Sequence, residues 1–470
     1  MATFLHWLQH ETPGLLVLCA AGIAALLLMI IRFRIEPFIA LLVTGLLIAL
    51  AAGLSPEEIV GTAQSSGDSL LEDGFASILG HITAIIGLGT ILGSMLEASG
   101  GAQLLTRELL TAVGERRAPL AMGLSGLIFG VPVFFDIGIF VLAPLVYVVA
   151  REGKRSILLY CLPLVAGLSM THAFLPPHPG PVVAAGLLGV DLGWIILMGL
   201  ACGLPAFILA GLLYPVWIGN RIHLPVPDDM LATADAMARE RTEQGRPDPG
   251  LGTVALIIGL PMVLILGGTF GSITLPAGGL LATVTFLGNP TVALTIAVLL
   301  SFWLLGTRRG MTGAQLSELT AGALRPLGML LLVVGAGGFF GKVLAETGVG
   351  DALAGSLQAT GLPMLVSAYV ISSGLRIAQG SATVAIVTTG GIVAPLLQAG
   401  DHSQAQLALI AVAIAAGSII ASHVNDGGFW IISRYFGIPV ADMLKSWTVL
   451  ETILSVVAFA MAASLSVVAG

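Results

Sequence analysis

The sequence predicts an all-α polytopic membrane protein, built as an inverted-topology repeat with two re-entrant hairpins and two broken transmembrane helices. Three observations carry that reading. The 470 residues are 56% hydrophobic and only 10% charged, with a mean hydropathy of +1.01, whereas about a quarter of a soluble domain is charged. The basic loops alternate along the chain in an order that reverses between its two halves. Two polar breaks, at residues 172–181 and 423–428, interrupt long apolar runs at a separation of 251 residues.

Apolar runs at 14–31 and 37–54 open the chain, each about long enough to cross a hydrocarbon layer of roughly 30 Å. Arg32 and Arg34 lie between them, while residues 55–74 hold Glu57, Glu58, Asp68, Glu72 and Asp73 but no Lys or Arg. The excess of Lys and Arg on cytoplasmic loops puts the first loop inside, and the second loop and the N-terminus outside. Residues 75–96 return inward, toward Arg107, Arg116 and Arg117. The apolar run 119–150 is then closed by Arg151, Lys154 and Arg155, so both of its ends lie on the basic side. As one helix its length would be about 48 Å at 1.5 Å per residue, too long for one crossing. A re-entrant hairpin turning at residues 130–136 resolves both difficulties. Residues 156–189 form the first broken segment, crossing outward, and 194–219 cross back.

The linker 220–250 carries Arg221, Arg239, Arg241 and Arg246 and reads as a cytoplasmic connection with a short helix over 228–244. The pattern then repeats upside down. Residues 251–268 go out, 281–305 return to Arg308 and Arg309, and 326–345 go out past Arg325. A second hairpin, 362–399, is entered from outside; the second broken segment and a final span at 447–468 end the chain, with the C-terminus outside. The predicted organisation is an N-terminal repeat over 1–219, the linker 220–250 and an inverted repeat over 251–470. Of the 19 Lys and Arg, 15 fall in loops assigned inside, Lys445 joins them, and the loops assigned outside contain none. Fainter internal similarity points the same way: Gly87, Gly89, Gly93, Leu96 and Gly100 match Gly335, Gly337, Gly341, Leu344 and Gly348, and His172 matches His423. Paired interruptions in two inverted halves are a pointer to a transporter binding site.

In the first break, His172-Ala-Phe-Leu-Pro-Pro-His-Pro-Gly-Pro181 cannot continue a helix, because proline lacks the N–H and clashes with the preceding turn. Backbone released at that depth must be buried in protein or line a watery cavity. Asp136 sits at the tip of the first hairpin, where an intramembrane charge points to function; the alternative is a cap on the returning arm. Arg376 occupies the mirror position in Ser372-Ser-Gly-Leu-Arg-Ile-Ala-Gln-Gly-Ser-Ala-Thr383. Its guanidinium suits a carboxylate, Gln379, Ser381 and Thr383 add polar groups, and Gly380 lets backbone approach a ligand. The alternative for Arg376 is an internal ion pair with Asp426. His172, His178 and His423 titrate near neutral pH and are candidate proton carriers; Asn425 and Asp426 could bind a hydroxylated ligand or cap a half-helix. Cys19, Cys161 and Cys202 lie in apolar runs and suggest neither a disulfide framework nor a thiolate metal site. No signal peptide, nucleic-acid motif, ATP-binding module or cofactor site is indicated. A metal hydrolase using His172, His178 and Asp136 lacks the H-E-x-x-H spacing.

Four motifs give the chain a family resemblance: Gly130-Val-Pro-Val-Phe-Phe-Asp136, Thr171-His-Ala-Phe-Leu-Pro-Pro-His-Pro-Gly-Pro-Val182, Leu375-Arg-Ile-Ala-Gln-Gly-Ser-Ala-Thr-Val384 and His423-Val-Asn-Asp-Gly-Gly-Phe-Trp430. Across essentially its whole length the chain resembles the gluconate permease (GntP) family of proton symporters. The resemblance implies a bacterial inner-membrane carrier that takes up gluconate or a related sugar acid with a proton. It also implies kinship with the ion-transporter superfamily, which suggests a homodimer. Another small hydroxylated acid such as D-serine is an alternative substrate, and a passive organic-anion channel an alternative mode. The expected site comprises Arg376, Gln379, Gly380, Ser381, Thr383, His172, His178 and Asn425 around the substrate, with Asp136 or Asp426 taking the proton. No catalytic or metal-binding residue is expected; the partners are a sugar-acid anion, a proton and the lipid bilayer.

Overall fold

The computed structural model describes residues 2–62, 69–227, 230, 249–350, 352, 362–397 and 400–469, and among these the chain is helical with no strand. The first half comprises α1 (Ala2–His10), α2 (Thr12–Leu27, prolonged by a π-helical turn to Arg32), α3 (Pro37–Ala51), α4 (Pro56–Val60), α5 (Leu70–Ala98) and α6 (Gly101–Val113). The first hairpin follows as α7 (Ala118–Phe129) and α8 (Phe135–Gly153). The first broken helix is α9 (Leu158–Phe174) with α10 (Pro179–Leu188); α11 (Leu192–Phe207) and α12 (Tyr214–Gly219) make one continuous crossing through a π-helical segment.

The second half has α13 (Leu251–Thr274), α14 (Gly279–Gly288), α15 (Pro290–Ser301), α16 (Gly313–Leu324) and α17 (Leu327–Glu346). Its hairpin is α18 (Met364–Gln379) with α19 (Ala382–Leu397), its broken helix α20 (Gln404–Ile419) with α21 (Gly427–Tyr435), and its last span α22 (Val440–Ala469). Among the described residues, eight helical stretches are long and apolar enough to cross a membrane. The hairpins and both breaks stand where the sequence predicts them. The helix expected over 228–244 lies outside the described residues, apart from Met230.

Two elements differ from expectation. The span predicted over 281–305 is split at Asn289: Pro290 supplies no N–H, and Asn289 Oδ1 accepts from the N–H groups of Thr291 (3.0 Å) and Val292 (3.4 Å), capping a new helix. The polar stretch 55–74 is partly helical. Ser55 and Glu58 form a reciprocal capping box on α4, and Ser69 starts α5 by accepting from Glu72 N–H at 3.2 Å. Caps of this type satisfy N–H groups that a first helical turn leaves free.

Small residues set the packing. α17 presents Gly335 and Gly338 to Phe75, Gly74 and Ile78 of α5, and Gly337 and Gly341 to Val387 and Gly391 of α19. Spacings of three and four place each pair on one helix face. In lipid, where apolar side chains gain little by leaving their surroundings, such close backbone approach is a main source of helix association. The two halves use the same device at their hairpins. Gly167 of α9 lies against the backbone of Gly123, Gly126 and Leu127 in α7, and Gly417 of α20 against Tyr369 and Ser373 in α18. The broken helix α9–α10 is the most enclosed span, with 94% of its apolar window buried, against 33% for α2 and for α13.

The turn after α10 is clasped to the second half. Asp191 caps α11 by accepting from Gly193 N–H (2.8 Å) and also accepts from the Thr269 hydroxyl of α13 (2.6 Å). Gln404 of α20 accepts from Asp191 N–H and donates to the Gly189 carbonyl. Asp191→Ala is expected to cost about 0.5–2 kcal/mol, the range for a lost N-cap, measured as a lower unfolding midpoint in detergent.

Candidate functional site

The two hairpin turns, the second helix break and the end of α9 line one partly open cavity of about 320 Å³. Three helices begin at its wall: α8 at Phe135, α19 at Ala382 after Ser381, and α21 at Gly427 after Asp426. The N-terminal ends of helices carry free N–H groups and the positive end of the backbone dipole, so this arrangement favours an anion. No side chain caps the start of α8, which leaves its first N–H groups available. At α19 the Ser381 hydroxyl accepts from Val384 N–H at 3.4 Å.

Arg376, 4% exposed, anchors the second hairpin. One guanidinium nitrogen donates to the Gly380 carbonyl, closing the turn, and the other donates to Asp426 Oδ2 at 2.5 Å. Asp426 also accepts from the Ser422 hydroxyl (2.5 Å) and, through Oδ1, from Gly428 N–H (3.0 Å), which caps α21. Trp447 of α22 donates to Ser422 at 2.7 Å. The internal pair considered as an alternative role for Arg376 is therefore formed, and it joins hairpin, break and last span. Asn425 donates to the Ile377 carbonyl at 2.9 Å, and His423 Nε2 lies 3.2 Å from the same oxygen. Gly380 has φ +85°, and a Cβ there would sit 2.2 Å from the Asn425 carbonyl oxygen.

Across the cavity His172 stands with Phe134, Phe135 and Trp447, its ring 6.3 Å from each of the two phenylalanines. His178 is placed differently. It is buried 4.9 Å from the His172 ring, off the cavity wall, and its Nε2–H donates to the Gly130 carbonyl at 2.5 Å. The contact ties the first break to the first hairpin turn. Asp136 lies in the first turn of α8, open to the cavity. Of the residues put forward from sequence, Arg376, Gln379, Gly380, Ser381, Thr383, His172, Asn425, Asp136 and Asp426 line this one cavity, and His178 does not.

Sequence reasoning passed over Ser169, Trp447 and Glu451, which complete the wall. Glu451 was detectable: it is the sole charged residue after Lys445, in the last apolar run, the same signal that singled out Asp136. Four buried polar atoms at this wall have no hydrogen-bond partner: Arg376 Nε, Gln379 Oε1, His172 Nδ1 and Glu451 Oε1. Buried polar groups are nearly always paired, so four unpaired atoms among the residues of one wall set this region apart from ordinary packing. Among the described residues no cluster of three His, Cys, Asp or Glu could hold a metal ion.

A family model for GntP family permeases matches residues 14–468 of the chain. The chain belongs to the GntP permease family. It is 42% identical to the inner membrane permease YgbN of Escherichia coli K12, over 96% of this chain and 98% of that one. The gluconate permease of Bacillus subtilis 168 is 36% identical (94% and 97% covered), and the high-affinity gluconate transporter of E. coli K12 is 35% identical (94% and 97% covered). In fold, this GntP-family chain is similar to Neisseria gonorrhoeae MtrF, from a class of antimetabolite efflux pumps, at a TM-score of 0.67 and 18% identity over 94% of this chain and 97% of that one. The Alcanivorax borkumensis YdaH transporter, described as having an unusual topology, aligns at 0.58 and 15% identity over 92% and 98%. The protein is a multi-pass membrane permease of the GntP family, built on the transporter fold that its hairpins and breaks indicated.

Proposed function

We propose that this permease takes up gluconate or a closely related sugar acid with a proton across the bacterial inner membrane, by alternating access. The observation that carries the substrate class is the cavity wall: helix N-termini beside the Arg376 side chain for a carboxylate, with Gln379, Thr383, Asn425 and His172 for hydroxyls. A polyhydroxylated anion answers both kinds of open group, and the gluconate permeases among the relatives support it. The repeats 1–219 and 251–470, joined by a cytoplasmic linker, would exchange conformations about this site, with both termini periplasmic. His178 would act behind the wall by holding the Gly130 turn. Asp426, held by three donors, reads as the anchor of Arg376, and Asp136, open to the cavity, as the carboxylate that exchanges protons with water.

The test is labelled gluconate uptake into proteoliposomes with and without an inward proton gradient. Accumulation above equilibrium that a protonophore collapses is expected, with unlabelled gluconate competing better than D-serine. Saturable exchange indifferent to the gradient would remove proton coupling, and unsaturable flux would favour a channel. Asp136→Asn is expected to slow gradient-driven accumulation; full wild-type rates in that variant would take Asp136 out of the proton path.

A further inference from the structure

Glu451 is 2% exposed on the membrane-spanning helix α22, and its carboxyl faces the cavity. Ser169 of α9 lies beside the carboxyl on the same wall, and Oε1 has no partner. The charges that act on it are Arg376 on α18 and Asp426 before α21, and His172 on α9 shares the cavity wall. Among the other groups on elements packed against α22, Tyr369 of α18 bonds Ser455 one turn further along, Arg434 lies on α21, Cys202 on α11 and Tyr214 on α12, and α20 carries none. The Arg376 charge is already matched by Asp426 at 2.5 Å. Glu451 is thus a dry carboxyl with no cation of its own.

We propose that Glu451 is the group that holds the coupling proton while the loaded cavity is closed to water. The inference rests on the proton-coupled uptake proposed above. Exchanging a proton with water and retaining it during the crossing are different tasks. A carboxyl open to the cavity, as Asp136 is, equilibrates with whichever side the water comes from. Retention needs a carboxyl shielded from the water on both sides.

Charge counting gives the coupling rule. With Arg376 and Asp426 cancelling, a bound monoanion adds one negative charge, and an ionised Glu451 would add a second in the same low-dielectric space. Substrate therefore raises the proton affinity of Glu451, and by linkage the proton raises the affinity for substrate. The proton is taken from water on the entry side, neutralises the carboxylate, and returns to water on the other side once the anion has left. No other bond is made or broken.

The experiment uses the full chain in proteoliposomes with labelled gluconate. Wild type is measured first: if it shows no proton-driven accumulation, the proposed function itself falls. Given that accumulation, Glu451→Gln, which fixes the neutral form, is expected to retain counterflow exchange and lose accumulation. Accumulation by Glu451→Gln with wild-type protonophore sensitivity overturns the assignment. If that variant loses counterflow as well, the pH profile of KM in Glu451→Asp decides. A profile displaced from wild type sustains the role, and an unchanged profile or an inactive Glu451→Asp overturns it.

Discussion

Arg376→Ala is expected to abolish uptake and to lower stability by about 3–5 kcal/mol, the range for breaking one side of a buried ion pair. The substitution removes the donor that closes the Gly380 turn and the one bound to Asp426, leaving a carboxylate served only by Ser422 and Gly428 N–H. Arg376→Lys keeps the charge but not the planar fork that reaches two acceptors at once, so it falls between alanine and wild type. In a double-mutant cycle with Asp426→Asn, Arg376→Gln combined with Asp426→Asn is expected to regain most of the stability lost by Arg376→Gln alone, because no unpaired charge remains. Uptake is expected to stay absent, since the donor that closes the Gly380 turn is still missing. Unfolding midpoints in detergent and gluconate uptake read the two effects separately. Strictly additive losses in stability would show that the pair is not coupled.

Gly380→Ala is expected to be as damaging to transport although it changes neither charge nor polarity. At φ +85° an L-residue costs about 1–2 kcal/mol in backbone strain. The added methyl would also lie 2.2 Å from the Asn425 carbonyl oxygen, which is backbone and cannot rotate away. The hairpin tip must then lift off the second break, opening the Arg376–Asp426 contact. The expected result is protein that inserts in the membrane but neither binds nor accumulates gluconate. As a control, Gly374→Ala adds a methyl with nothing within 4 Å and is expected to behave as wild type. Normal uptake by Gly380→Ala would mean that the tip and the break are not in contact in the working carrier.

Much of the architecture was legible in one dimension. The hairpins emerged at Ala118–Gly153 and Met364–Leu397 because an apolar run too long for one crossing, or bounded alike at both ends, has few solutions in a bilayer. The breaks emerged at Leu175–His178 and Ile420–Asp426 because proline, glycine and polar side chains cannot extend a helix through hydrocarbon. The split at Asn289 was missed although Asn-Pro is a helix-start signal; the apolar residues on both sides masked it.

The sequence by itself determined the long apolar helices, the two polar breaks and the family, because helix length and backbone satisfaction in lipid are local constraints on successive residues. It also nominated most of the cavity, since charges and prolines stand out against an apolar background. Tertiary structure alone decided which of those groups meet. His178 turned behind the wall to hold Gly130, Arg376 met Asp426 across 50 residues, and Glu451 turned inward beside Ser169. The physical reason is that a helix in lipid is apolar on its lipid face and on its packed face alike. Its periodicity therefore carries little record of which side looks inward, and only the packing of α9, α18 and α22 supplies it.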